Sequence, residues 1–293
     1  MTEPLSILEI EEKKFRCCDV TLNYAEGPDD GPSMVMIHGL GRRWQVLQPI
    51  IAPLSKKYHI YAPDLRGHGG SARVPGAYRE IQYAADISQF LHGTVGKPAI
   101  IFGHSLGGMI GMHIAAHEPT LVRALIVGDS MIDPALLHSS LYPKLFSSLA
   151  DLARKGGTAE VIARGLAEIE LQLPGLEELV RIGDLPGNDH AYLLRWAECV
   201  RHADPDTYTM SVDGTSLEGW DGESLLKKIE CPTLLLQANP DLGGLMSNDD
   251  VDIAVKLLAR SKVVRFPTLG HALYMQQAEP VLRAVQDFLA HVL

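Results

Sequence analysis

Ser105 stands between glycines in Gly103-His104-Ser105-Leu106-Gly107, directly after the apolar run PAIIF. G-x-S-x-G between a buried strand and a helix sets a serine on a sharp turn, with its Oγ projecting above the sheet. Glycines are needed there because side chains would collide where strand and helix approach. A serine hydroxyl is a weak nucleophile at neutral pH and needs a base beside it. Among the twelve histidines, His271 is placed for that task. It follows the run KVVRFP, within TLGHALY, in a loop before the final helix and above the same end of the sheet as Ser105. His113 and His117 lie four apart on the helix after Ser105, a spacing that can bind metal. They lack the H-E-x-x-H glutamate, so ordinary surface placement is expected.

A histidine base needs a carboxylate to fix its tautomer and stabilise the imidazolium. Asp241 ends TLLLQANPD and gives the chain order Ser105, Asp241, His271, nucleophile then acid then base. Asp129 is its rival: it ends RALIVGD and can reach the histidine from a neighbouring strand. Asp64 ends a third strand, but DLRGHGGS reads as a loop-shaping segment. Asp241 is the preferred acid. The oxyanion that develops on a carbonyl requires donors already in place. HGLG at 38–41 follows the first long buried run, so the backbone N–H groups of Leu40 and Leu106 are expected to form that hole.

These residues need a scaffold that gathers strand ends. SMVMIHG, HIYAPD, PAIIFGH, RALIVGD, PTLLLQANPD and KVVRFP are short continuous apolar runs, as parallel strands buried on both faces require. Helical stretches alternate with them, and DVTLNYAEG alternates like an exposed strand. The last helix, from Pro280, places Val281, Val285, Phe288 and Val292 on one face. The expected fold class is α/β, a doubly wound and mostly parallel sheet. Between Ser130 and Pro232 no strand-like run is found. That interval is too long for a loop and reads as an inserted helical cap. The expected organisation is a core of residues 1–133 and 221–293, with the cap at 134–220. Leu145, Phe146, Leu149, Leu193, Trp196 and Trp220 supply apolar surface there.

The net charge of −10 disfavours non-specific binding to nucleic acid or anionic lipid. No apolar run reaches the length of a membrane span, and MTEPLSILEIEEKKF lacks a signal-peptide layout. A cytoplasmic protein is expected. Four cysteines without metal-type spacing read as reduced structural thiols. No cofactor and no metal is implied, and oligomeric state leaves no mark in the sequence.

VMIHGLGRRW, YAPDLRGHGGSA, IIFGHSLGG, LLLQANPD and LGHALY resemble the signature segments of the α/β-hydrolase superfamily. They occur in its order, over nearly the whole chain outside the cap. The resemblance implies Ser105 as nucleophile, Asp241 as acid, His271 as base and Leu40 with Leu106 as the oxyanion hole. The one-glycine form of HGLG resembles carboxylesterases acting on small to medium acyl groups. Haloalkane dehalogenases and epoxide hydrolases of this fold carry aspartate at the nucleophile position, so Ser105 argues against both. Carbon–carbon hydrolases of aromatic-ring catabolism resemble HGxGPG, from which Arg42-Arg43 departs. Proline iminopeptidases resemble GGSWG, which this sequence lacks. The resemblance implies a serine hydrolase cleaving a carboxylic ester or lactone of a small to medium apolar substrate. C–C cleavage on the same triad is the alternative, and a non-catalytic ligand-binding protein of this fold is the third reading.

Overall fold

The computed structural model describes residues 10–17, 19–134, 137, 141–173, 178–185 and 187–293; Cys18 and His138 lie outside them. Its centre is an eight-stranded sheet. The strands are β1 (Glu11–Cys17), β2 (Val20–Glu26), β3 (Ser33–Ile37), β4 (His59–Pro63), β5 (Ala99–His104), β6 (Val122–Gly128), β9 (Thr233–Ala238) and β10 (Ser261–Phe266), with β7 and β8 introduced below. The order across the sheet is β1-β2-β4-β3-β5-β6-β9-β10. β1 and β2 pair antiparallel, and β2 joins β4 antiparallel. From β4 to β10 every pairing is parallel.

The central strands are uniformly apolar because each buries both faces. Val35, Ile37, Ile101, Leu125, Val127 and Leu235 enter the core on one side. Their neighbours Met34, Met36, Ile100, Phe102, Ile126 and Leu236 enter the core on the other. This is the two-residue alternation of a pleated strand. Helix α1 (Gln48–Leu54), α2 (Glu80–Phe90) and α3 (Leu106–His117) accompany the first half of the sheet.

The interval between β6 and β9 carries α4 (Tyr142–Lys155), α5 (Ala159–Ala167), α6 (His190–Arg201) and α7 (Pro205–Val212). Tyr142, Leu145, Phe146 and Leu149 are buried along α4, the spacing of one helical face. Asp189 and Asp204 cap α6 and α7 by accepting from Tyr192 N–H and Asp206 N–H. Asp204 also ties the insertion to the core. Its N–H donates to Gly67 C=O at 2.7 Å, and its carboxylate accepts from Tyr78 Oη at 2.8 Å. After the insertion come α8 (Gly222–Leu226), α9 (Asn248–Leu257), α10 (Leu273–Gln276) and α11 (Ala278–Val292).

Three local features were not legible in the sequence. β1 is an edge strand that the N-terminal sequence does not advertise, because four of its first residues are exposed and leave no apolar run. The insertion is not wholly helical: Glu170–Leu171 (β7) and Val180–Arg181 (β8) form a small antiparallel ribbon, too short for any periodicity. His59, at the start of β4, is buried between Glu26 and Asp29 at 2.9 and 2.8 Å. Among the described residues no helix is long and apolar enough to cross a membrane.

Candidate active site

β5 ends at His104 and α3 begins at Leu106, so Ser105 alone makes the turn, with φ 56° and ψ −122°. No L-residue adopts that conformation without strain. The flanking glycines permit it. A Cβ on Gly103 would lie 2.1 Å from Gly107 O, and one on Gly107 would lie 2.3 Å from Ile37 O. Strand and helix therefore approach to backbone contact. The turn is held from beneath: Ser105 N–H donates to Gly128 C=O at 2.8 Å, and Ser130 Oγ donates to Ser105 C=O at 2.7 Å. Gly108 is required as well, since its Cβ would sit 2.0 Å from Ser130 Oγ. Ser130 has no sequence signature; only the adjacent position of the β6 end reveals it.

His271 follows β10 and lines the same cavity as Ser105. Its Nδ1 lies 2.7 Å from Asp129 Oδ2. Asp129 is fully buried, and His271 keeps about a quarter of its side chain exposed. The carboxylate accepts three further bonds. Ala238 N–H and Met246 N–H reach Oδ1 at 3.1 and 3.2 Å, and Leu245 N–H reaches Oδ2 at 2.8 Å. Its fixed acceptor role assigns the Nδ1–H tautomer to His271 and leaves Nε2 as an acceptor.

Asp241 is not the partner of His271, which corrects the preferred assignment. β9 stops at Ala238, three residues before Asp241. Asn239 then caps a turn over Pro240–Leu242, its side chain accepting from Asp241 N–H at 2.9 Å. That turn carries Asp241 into solvent. Asp129 instead directly follows β6, the strand beside β9. Its φ of 45° turns its carboxylate toward the loop bearing His271. The signal was present in Asn-Pro, a turn-forming pair that ends the strand early. Among the described residues the non-glycine positions with positive φ are Ser105, Asp129 and Leu273. All three lie in or beside this site, where stored backbone strain tends to gather.

Leu40 lies in the loop after β3. Among the described residues neither its N–H nor that of Leu106 is used by the protein's own hydrogen bonds. Two neutral imidazoles shape this loop. His38 Nδ1 sits 2.8 Å from Gly39 C=O while its Nε2 accepts from Leu65 N–H at 3.0 Å. His68 Nδ1 sits 2.8 Å from Arg66 C=O while its Nε2 accepts from Gly41 N–H at 2.9 Å. Each ring thus donates at one nitrogen and accepts at the other, as only the neutral form can. Burial drives His38 down to about 4, and burial followed by the nearby His38 drives His68 down to about 3. Asp64 confirms the loop-shaping reading: it accepts from Trp44 N–H, Gly70 N–H and Asn23 Nδ2 at 2.8, 2.8 and 2.9 Å. His104, beside the serine, places its Nε2 2.8 Å from the backbone C=O of His271. Burial, then the neighbouring His271, holds it well below the usual imidazole range.

The cavity over Ser105 has a volume of about 770 Å³. Its floor includes Leu40, Ser105 and His271, and the insertion supplies Leu145, Phe146, Leu149 and Trp196. Leu193 is buried elsewhere. Trp220 instead donates from Nε1 to Ile132 C=O at 2.9 Å.

A mostly parallel sheet with a serine elbow at one strand end and a histidine–carboxylate pair over its neighbours defines the α/β-hydrolase class. Residues 34–284 match the model of the alpha/beta hydrolase family, and the chain belongs to that family. It is 26% identical over 274 residues to the pimeloyl-[acyl-carrier protein] methyl ester esterase of Chromobacterium violaceum, covering 91% of this chain and 97% of the relative. It is 34% identical over 113 residues to 3-oxoadipate enol-lactonase 2 of Acinetobacter baylyi, covering 38% of this chain and 42% of the relative. Among solved structures, E-2-(acetamidomethylene)succinate hydrolase superposes with a TM-score of 0.77 at 22% identity, covering 96% of this chain and 100% of that one. This last likeness concerns the fold.

Proposed function

We propose that the protein is a serine hydrolase that cleaves a carboxylic ester or lactone of small to medium size through an acyl-enzyme on Ser105. The observation that carries this reading is the pairing of His271 Nδ1 with the buried Asp129 carboxylate, in the cavity that also holds the strained Ser105. Ser105 Oγ attacks the carbonyl carbon while His271 Nε2 takes its proton. The N–H groups of Leu40 and Leu106 receive the oxyanion. His271 returns the proton to the departing alkoxide, leaving an ester on Ser105. It then deprotonates a water that attacks the acyl carbon, and the proton returns to Ser105 as the acid leaves. Asp129 orients the ring and stabilises the imidazolium throughout. The relatives named as a methyl ester esterase and an enol-lactonase support an ester or lactone carbonyl as the target. The apolar insertion residues over Ser105 support a mainly apolar substrate body.

The test combines labelling and turnover. A fluorophosphonate is expected to modify one site, in the peptide containing Ser105, and Ser105→Ala is expected to lose both labelling and hydrolysis of nitrophenyl esters. Labelling elsewhere, or turnover that survives in Ser105→Ala, would refute the assignment. Absence of ester hydrolysis together with cleavage of a vinylogous diketone would transfer the same residues to C–C hydrolysis.

A further inference from the structure

Arg42 lies two residues beyond Leu40, on the oxyanion loop, and lines the cavity over Ser105. Its guanidinium carbon sits 4.5 Å from the centroid of Trp196, which holds it against α6 by a cation–π contact. Among the described residues no carboxylate forms an ion pair with it. The neighbouring groups that bear on it are Tyr192, Cys199, Tyr208 and Tyr274, none of them a carboxylate, and the Cys199 thiol is also its side-chain hydrogen-bond partner. Its field also bears on His38, His104 and Tyr142 around the reacting centre. A half-buried cation is normally paired, because an uncompensated one forfeits hydration without return. Here one face is covered by Trp196 and the anion is missing from the protein itself. The other ionised side chains along the cavity are Arg195 and Asp189, both exposed. Asp189 is engaged as the α6 cap.

We propose that Arg42 binds an anionic group of the substrate, so that the ester or lactone carries a carboxylate beside its scissile carbonyl. The inference rests on the serine-hydrolase reading above and narrows its substrate class. Arginine presents a planar fork of donors that matches a carboxylate with two parallel bonds. The Arg42 guanidinium beside Leu40 balances one negative charge, which suits a carboxylate better than a dianionic phosphate. The apolar insertion residues take the rest of the molecule. Because Arg42 and the Leu40 N–H share one short loop, a substrate anchored at Arg42 is registered against the oxyanion hole. The anion therefore sets position as well as affinity. The apolar composition of the insertion concealed this, since Arg42 reads in the sequence only as a departure from a proline-containing motif.

The experiment compares matched ester pairs. In the first, the nitrophenyl monoester of glutaric acid is set against the neutral ester in which an isopropyl group replaces the free carboxylate. In the second, the carboxylate or isopropyl group stands on the phenol of a butanoate ester, which places the anion on the leaving group. The wild-type enzyme is expected to prefer the carboxylate member of one pair by about 10- to 100-fold in kcat/KM, the range of charge-assisted hydrogen bonds. Arg42→Met is expected to erase that preference, and Arg42→Lys to keep part of it. The ratio within a pair cancels any general loss of activity. Equal rates in both pairs, or a preference that survives Arg42→Met, would overturn the proposal. A larger preference for the matching phosphate ester would replace the carboxylate with a phosphate. Failure to hydrolyse any of these esters would instead strike the serine-hydrolase reading, and this inference with it.

Discussion

Replacing Asp129 by asparagine separates the two carboxylates that the sequence offers. Four donors converge on Asp129: Ala238 N–H and Met246 N–H at Oδ1, Leu245 N–H and the His271 ring at Oδ2. An amide has one oxygen for two such pairs. If the oxygen stays with Ala238 and Met246, the NH2 group faces Leu245 N–H and His271 Nδ1. The ring must then accept at Nδ1 and carry its proton on Nε2, where it cannot take the serine proton. If the amide flips, two buried backbone N–H groups face a donor. In the first arrangement the wrong tautomer is expected to cost up to about 10⁴ in kcat, some 5.5 kcal/mol of barrier. One unpaired buried N–H costs about 1–3 kcal/mol of stability, or roughly 2–5 °C in Tm for a chain of this size. Asp241→Asn changes an exposed side chain and is expected to stay within about 0.5 kcal/mol, with kcat close to wild type. The assay is kcat for a nitrophenyl butanoate, corrected for the folded fraction measured by thermal unfolding. A large loss in Asp241→Asn with little loss in Asp129→Asn would refute the assignment of the orienting carboxylate.

Gly107→Ala forces a Cβ to 2.3 Å from Ile37 O. It is expected to destabilise by about 3 kcal/mol or more, read as a drop in Tm of about 5 °C or more; a shift under 2 °C would mean the helix can retreat from the sheet. His38 and His68 titrate below the unfolded reference of about 6.5, at about 4 and about 3. As pH falls below 6.5 the unfolded chain takes protons that the folded rings refuse. Their contribution is complete above that pH, and each loses about 2 kcal/mol by pH 5. Urea unfolding from pH 7 to 5 checks it, with His38→Asn expected to flatten the curve. Across neutral nitrophenyl esters, kcat/KM should rise about fourfold per methylene, from about 0.8 kcal/mol each, until the cavity is full. Phe146→Ala should move that turning point to longer chains. A wild-type rate that keeps climbing with length would indicate an open groove.

The sequence by itself determined whatever depends on neighbours along the chain. Gly103, Ser105 and Gly107 announce the elbow, because steric clash within a few residues dictates where only glycine fits. The apolar runs announce the parallel strands, because burial on both faces leaves no polar alternation. His271 was legible from its place between a strand and a helix. Tertiary structure decided which carboxylate meets it. Asp129 and Asp241 both follow strands, and only the pairing of β6 with β9, together with the turn begun at Asn239, turns one inward and the other to solvent. It also decided which apolar residues of the insertion face Ser105. Leu149 lines the cavity and Leu193 does not, although both lie on the buried faces of their helices. Amphipathicity tells that a face is covered. What covers it depends on contacts between segments far apart in the chain.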